Sequence, residues 1–494
     1  MELQLVRVPK NVPDPLNRQR SSCEKQMSDT MHSHAIEHPG ENLSNDIRRR
    51  LADVEPRAQR TFTPSLAAIA RSAGCYHWTC DGRKLADFTS GVLVANLGHN
   101  PVAWWRAVWR YLGLDQLPAT ADGFAVASPL TTYNATGEIE VQATERLIAN
   151  LRSQSGGARC EQVLWAASGS EAVQKALWAA LAWRRKDEPP QSTADSIILA
   201  TRFGFHGKKG LAGATTGSEK DPERDARVRF ISFPREECID TAHRAQPLDT
   251  TCYEAELNEL WRQHASRIRV LITEPYLGGG GSFHPQPEYL QLLQRFCRAH
   301  DIVFILDEIQ SGFGRTGPMY AFTHYGLEPD LVCLGKGLGN GMPVAVVAGR
   351  ADILGSLEFG EGSDTYSGNP LAAAAVLATL DEFESTDVLP RGAALAAVFQ
   401  EGLERLTELP AIAHLRGEGL VWGIEFAPLG NRSAAEVARA AVAACYLGDD
   451  HGRAIHLLGP LAGTVVRIAP PLIMPPDEAR EYLDAMHDIV TRLT

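Results

Sequence analysis

A chain of 494 residues, 44% hydrophobic and 22% charged, has room for two or three domains and an ordinary globular composition. Its net charge of -12 argues against nucleic-acid binding, which needs clustered cations to meet a phosphate backbone. No apolar stretch approaches the roughly 20 residues of a bilayer-spanning helix, so no membrane contact is expected.

The opening "MELQLVRVPKNVPDPLNRQR" carries Glu2 and Asp14 and has no apolar core after its charges, which makes a poor secretion signal. Residues 1–45 are polar and patternless and read as a disordered tail, with Met27 and Met31 as alternative starts. His32, His34 and His38 lie in it without an acidic or cysteine partner at a metal-binding spacing, so no metal is expected. The 9 cysteines are scattered and form no CxxC pair, which reads as reduced thiols in a cytoplasmic enzyme.

Residues 46–115 read as the N-terminal segment of a small domain: short strands in "CYHWTCDGRKLADFTSG", then a helix near "VAWWRAVWRYLG", where Trp104 and Trp105 read as packing. Over 116–374, apolar runs alternate with helical patterns at Val163–Ala166, Ile197–Ala200, Val270–Thr273, Ile302–Leu306, Leu331–Leu334 and Val344–Ala348. That alternation predicts an α/β fold with a mostly parallel, doubly covered sheet as the large domain. Residues 375–494 read as the C-terminal part of the small domain, an Ala-rich helix followed by strands in "GLVWGIEFAP" and "TVVRIAPPLI".

Ligands of such sheets bind beyond the carboxyl ends of the strands. The residues there are Ser168-Gly169-Ser170, Phe205-His206-Gly207, Glu274-Pro275, Asp307-Glu308-Ile309-Gln310 and Lys336. "SGSEAVQKALWAAL" opens a helix with Val173, Ala176, Leu177, Ala180 and Leu181 on one face and Arg184, Arg185 and Lys186 past its end. Its free N–H groups and the Ser168 and Ser170 hydroxyls could cradle a phosphate, or Ser168 could be an ordinary cap. Asp307 ends "IVFIL" and suits a buried cation such as a protonated pyridine nitrogen, or is a plain N-cap. Lys336, flanked by glycines, could be a nucleophile towards an aldehyde, or a solvated loop lysine. Taken together at successive strand ends, the three favour the chemical reading.

The stretch "FILDEIQSGFGRTGPMYAFTHYGLEPDLVCLGKGLGNGMPVAVVAGR" closely resembles the class III (ω-amino acid) aminotransferases, of the fold type I group that uses pyridoxal 5'-phosphate. The resemblance runs from about Glu55 to the C-terminus. It implies that Lys336 forms the Schiff base with the cofactor and shuttles the proton, and that Asp307 pairs with the pyridine nitrogen. It places Gln310 near the ring oxygen, Phe205 against the ring with His206 beside it, and Ser168, Gly169 and Ser170 at the phosphate. Thr365 matches a threonine that reaches the cofactor phosphate of a neighbouring subunit, which implies a homodimer with shared sites. Arg467 matches the arginine that grips the α-carboxylate of the acceptor. Val92 stands where ornithine-specific relatives carry a tyrosine, and Lys208 replaces an arginine used for a distal carboxylate, with Lys209 next to it.

One departure stands out: "EPYLGGGG" puts Gly279 where relatives using 2-oxoglutarate carry a glutamate that neutralises the arginine. Pyruvate thus becomes a credible acceptor. The resemblance implies transfer of the terminal amino group of an ω-amino acid, 4-aminobutyrate type, to a 2-oxo acid by a ping-pong cycle of two half-reactions. The alternatives are a decarboxylase, aminomutase or racemase of the same fold, or a catalytically silent cofactor-binding protein. A nucleotide-binding protein is excluded, since neither GxGxxG after the first strand nor a Walker lysine motif is present.

Overall fold

The computed structural model describes residues 36–115, 123–183, 195–218 and 225–493. The expectations for Met27, Met31, His32, His34 and the basic run Arg184–Lys186 fall outside them. The chain divides into two compact units, Met1–Arg60 and Thr61–Thr494.

In the first unit, helix Asn42–Val54 begins inside the stretch read as a tail. The reason is local and polar. His38 donates its N–H to Asn45 Oδ1 at 3.0 Å, Asn45 returns a bond to the His38 carbonyl, and buried Arg48 bridges Asn45 and Glu41. Such side-chain ties carry no hydrophobic period, so a pattern search does not find them.

The second unit holds 14 strands among its described residues: β1 Ile69–Ala73, β2 Tyr76–Thr79, β3 Lys84–Asp87, β4 Gln162–Ala166, β5 Ile197–Thr201, β6 Val228–Ile231, β7 Ile268–Thr273, β8 Val303–Asp307, β9 Leu331–Leu334, β10 Ala345–Gly349, β11 Ile412–Glu418, β12 Val421–Phe426, β13 Ala454–His456 and β14 Val465–Ile468. They form a seven-stranded sheet of order β4-β10-β9-β8-β7-β5-β6, a four-stranded sheet β1-β2-β3-β13 and a three-stranded sheet β11-β12-β14. In the large sheet β6, β5, β7, β8 and β9 run parallel, while β10 is antiparallel to both neighbours.

Strands β5, β7, β8, β9 and β10 are buried at every residue. Both faces are covered, which is why their sequences are continuous Val, Ile and Leu rather than alternating. Helix Gly169–Ala182 lays Val173, Ala176, Leu177 and Ala180 on one face, against Ile198, Val270, Ile305 and Val347. Leu199, Leu271, Phe304 and Leu306 point the other way, into a core shared with Tyr289, Leu290 and Leu293 of helix Pro287–Ala299. Each fully buried Leu or Ile stabilises the fold by about 2 kcal/mol. This is the mostly parallel, doubly covered sheet expected from the alternating runs.

Helix Val102–Leu112 follows β3, and Trp104 on it is 2% exposed, its indole N–H bonded to Thr379 Oγ1 of helix Pro370–Ser385. β13 lies parallel to β3, so an early and a late segment share one small sheet. β14 pairs with β12 and sets Arg467 opposite Gly423. The 8 described cysteines are free thiols. Among the described residues no helix is long and apolar enough to cross a membrane.

Candidate active site

β8 and β9 are parallel neighbours with Asp307 opposite Cys333, so Asp307 and Lys336 emerge from the same edge of the sheet. Lys336 stands two residues past β9, at φ 47°, and opens the short 3-10 turn Lys336–Gly339. Burial lowers its amine to about 8; Asp307 and Glu274 oppose the shift and Arg467 adds to it. An amine with that value is a usable nucleophile near neutral pH.

Asp307 is 3% exposed. Its Oδ2 lies 2.8 Å from His206 Nδ1, and Oδ1 accepts the N–H of Ile309 at 3.1 Å. Thr216 Oγ1 accepts the N–H groups of His206 and Gly207 and so fixes the loop after β5. The other imidazole nitrogen, His206 Nε2, is buried and unpartnered.

Helix Gly169–Ala182 starts directly after β4 and carries the unpaired N–H groups of any helix start. Ser168 caps it, its Oγ accepting from Glu171 N at 3.4 Å. Gly207, at φ 148°, passes so close that a Cβ there would lie 2.6 Å from Ser170 Oγ. The two turns therefore meet as a narrow polar cradle that only glycine permits.

A polar chain runs along the other side of the site. Buried Arg467 donates from Nη1 to Gln310 Oε1 at 3.0 Å, and Gln310 Nε2 donates to Glu274 Oε1 at 3.2 Å. Phe205 closes the chain by donating its N–H to Glu274 Oε2 at 2.8 Å. Burial raises Glu274 to about 7, against His206 and with help from Asp307. Burial also holds the Arg467 guanidinium below its ordinary value, opposed by Tyr276 and Glu274. Arg467 Nε and Tyr276 Oη are buried without a partner.

The structure thus brings together Ser170, Phe205, His206, Asp307, Gln310, Lys336 and Arg467. Val92 stands apart from this hydrogen-bonded set, 43% exposed and at φ 73°. Lys208 and Thr365 are exposed, and the Thr365 carbonyl accepts from Thr131 Oγ1 at 3.4 Å. Two participants were not assigned roles from sequence. Glu274 was readable as an acid at a strand end, but its coupling to Gln310 and Arg467 was not; Thr216 gave no signal at all. Gly279 approaches Phe205 so closely that a Cβ would lie 2.8 Å from Phe205 Cβ.

Residues 58–490 match the family model for aminotransferase class-III. The chain is 30% identical over 455 residues to an omega-aminotransferase of Caulobacter vibrioides, covering 88% of this chain and 94% of the relative. It is 28% identical over 460 residues to a 4-aminobutyrate aminotransferase of Mycobacterium leprae, covering 91% and 96%. Its fold superposes on the crystal structure of ornithine aminotransferase from Toxoplasma gondii with a TM-score of 0.75, at 23% identity over 96% of this chain and 99% of that one. The chain belongs to the class-III aminotransferases. It is a transaminase, and its cofactor is pyridoxal 5'-phosphate. The residues fit that group: a buried carboxylate suits a ring nitrogen, an amine near neutrality suits an aldehyde, and the glycine-tight cradle at a helix start suits a phosphate.

Proposed function

We propose that the enzyme transfers the terminal amino group of an ω-amino acid, 4-aminobutyrate type, to a 2-oxo acid in a ping-pong cycle. The observation that carries this reading is the buried cation Arg467 facing the neutral side chain of Gln310. A guanidinium so placed offers two-point binding to a substrate carboxylate. It also tolerates an ω-amine, since Glu274 behind Gln310 supplies a partial counter-charge.

Bound pyridoxal phosphate supplies the electron sink for the charge left when a proton leaves the substrate carbon. The chain's own residues do the rest. With the cofactor bound, Lys336 would hold its aldehyde end and would carry the proton at the substrate carbon. Asp307, backed by His206, would keep a proton on the ring nitrogen. Ser168, Gly169 and Ser170 would hold the phosphate at the helix start, Phe205 would lie against the ring, and Gln310 would serve the ring oxygen. Val92 and Lys208 border the substrate. Thr365 serves the phosphate of a second copy in a homodimer, a reading supported by the surface stretch that leaves Phe359 and Tyr366 exposed. The small domain, drawn from 46–115 and 375–494, and a cytoplasmic location belong to the same proposal.

The test is a panel of amino donors against pyruvate and 2-oxoglutarate, read as new amino acid formed. Transfer from 4-aminobutyrate or another ω-amino acid is expected. Release of carbon dioxide, or an isomerised donor with no dependence on a 2-oxo acid, would overturn the reading.

A further inference from the structure

Away from that chemistry, β2 and β3 place His77 opposite Leu85, so Asp87, two residues further on, lies on the same face of the sheet as His77. His99 joins them from a loop tied to Gly74 by two backbone bonds. His77 and Asp87 are buried, and His99 is mostly so. His99 Nε2 lies 2.7 Å from Asp87 Oδ2, His77 Nε2 lies 3.5 Å from the same oxygen, and the three donor atoms all fall within 4.8 Å of one another.

We propose that His77, Asp87 and His99 form a binding site for a divalent transition metal, zinc above all. Donors around a tetrahedral zinc at about 2.0–2.2 Å sit roughly 3.3–3.6 Å apart, so side-chain shifts on the order of 1 Å would close the three on an ion. Two imidazoles and one carboxylate are a borderline donor set that suits zinc rather than calcium or magnesium.

The surroundings are arranged as supporting groups of such a site. Ser72 Oγ lies 2.6 Å from His77 Nδ1, which leaves Nε2 as the nitrogen turned towards Asp87. Thr89 donates both its N–H and its hydroxyl to Asp87 Oδ1, so that oxygen is taken and Oδ2 is the one turned to the imidazoles. His77 Nε2 has no closer polar partner than Asp87 Oδ2, at the long distance of 3.5 Å, although His77 is only 4% exposed. A purely structural Asp–His pair accounts for His99 and leaves this buried nitrogen with only a long contact, poorly satisfied at a cost of up to about 1–3 kcal/mol. A metal removes it. His99 also borders a cavity of about 420 Å³ lined by Ser90, Asn100, Trp104 and Met342, which gives an ion a way in and leaves room for a water as fourth ligand.

The experiment uses the full-length, cofactor-loaded protein, stripped with chelator and titrated with zinc chloride. Elemental analysis should find one zinc per chain, with a rise in Tm on binding. His77→Gln and His99→Gln should each weaken zinc binding by more than roughly tenfold and remove the Tm rise, with the cofactor spectrum intact. X-ray absorption at the zinc edge on the wild type, which needs no variant to fold, should show a shell of nitrogen and oxygen only. Substoichiometric zinc, undiminished binding in both variants, or a sulfur ligand would each overturn the site.

Discussion

Arg467 Nη1 donates to the side-chain oxygen of Gln310 at 3.0 Å, so the buried arginine of the site is met there by a neutral amide. Its charge is thereby left for substrate. Replacing Arg467 with Ala should raise KM for the 2-oxo acid and lower kcat/KM roughly 10- to 100-fold, the worth of charged hydrogen bonds of about 1.5–3 kcal/mol. Arg467→Lys should recover little, because an ammonium lacks the planar fork. Steady-state kinetics with pyruvate decide it; an unchanged KM in both variants would place the carboxylate elsewhere.

Gln310→Glu tests the same contact from the other side. A carboxylate at that position would pair with Arg467 and compete with substrate, raising KM for the 2-oxo acid by roughly tenfold. The new charge would also face Glu274, which already titrates at about 7. The variant should therefore lose acceptor affinity most at high pH, where both carboxyls are ionised. A flat dependence of KM on pH counts against the coupling.

Lys336 is held at about 8 by burial, against 10.5 for a free lysine. Because the folded value is lowered, the neutral amine gains population as pH rises through about 8 rather than through 10.5. The rate at which the cofactor-free protein recaptures pyridoxal phosphate should rise along that curve, followed by cofactor absorbance after mixing. Lys336→Ala should show no such capture and should lose turnover by at least roughly 10²–10⁴-fold.

Gly279 sits too close to Phe205 for a side chain. Gly279→Glu, which restores the family's residue by sequence, should not install a gate. It should instead push Phe205 off its position, at an overpacking cost of about 1–3 kcal/mol, and weaken cofactor binding by roughly tenfold or more. Equilibrium dialysis of the cofactor reports this directly. Normal cofactor affinity together with a new preference for 2-oxoglutarate would show that the loop can yield.

Much of this arrangement was legible in the chain. The six apolar runs between Val163 and Ala348 fall on strands; burial on both faces keeps β5, β7, β8, β9 and β10 apolar, and the residues after β4, β5, β7, β8 and β9 lie at the site's edge of the sheet. β6 was not found: Arg229 interrupts its four residues, and an edge strand needs covering less completely than a central one. That β10 runs antiparallel leaves no trace in composition, since its residues are as buried as those of its parallel neighbours. The missing carboxylate at Gly279 was readable from the motif. The contact of Gln310 with Arg467 was not, because those residues are 157 positions apart and meet only once β14 is laid down.

The pairing of β13 with β3 has a bearing on how the molecule is made. A ribosome must deliver nearly the entire polypeptide before Ile455 can dock beside Ala86, so this corner is completed last, and until then the outer edge of β3 is bare. Nascent or truncated chains lacking the final segment would present that open ladder to one another, an invitation to strand-on-strand association that the finished enzyme has closed off.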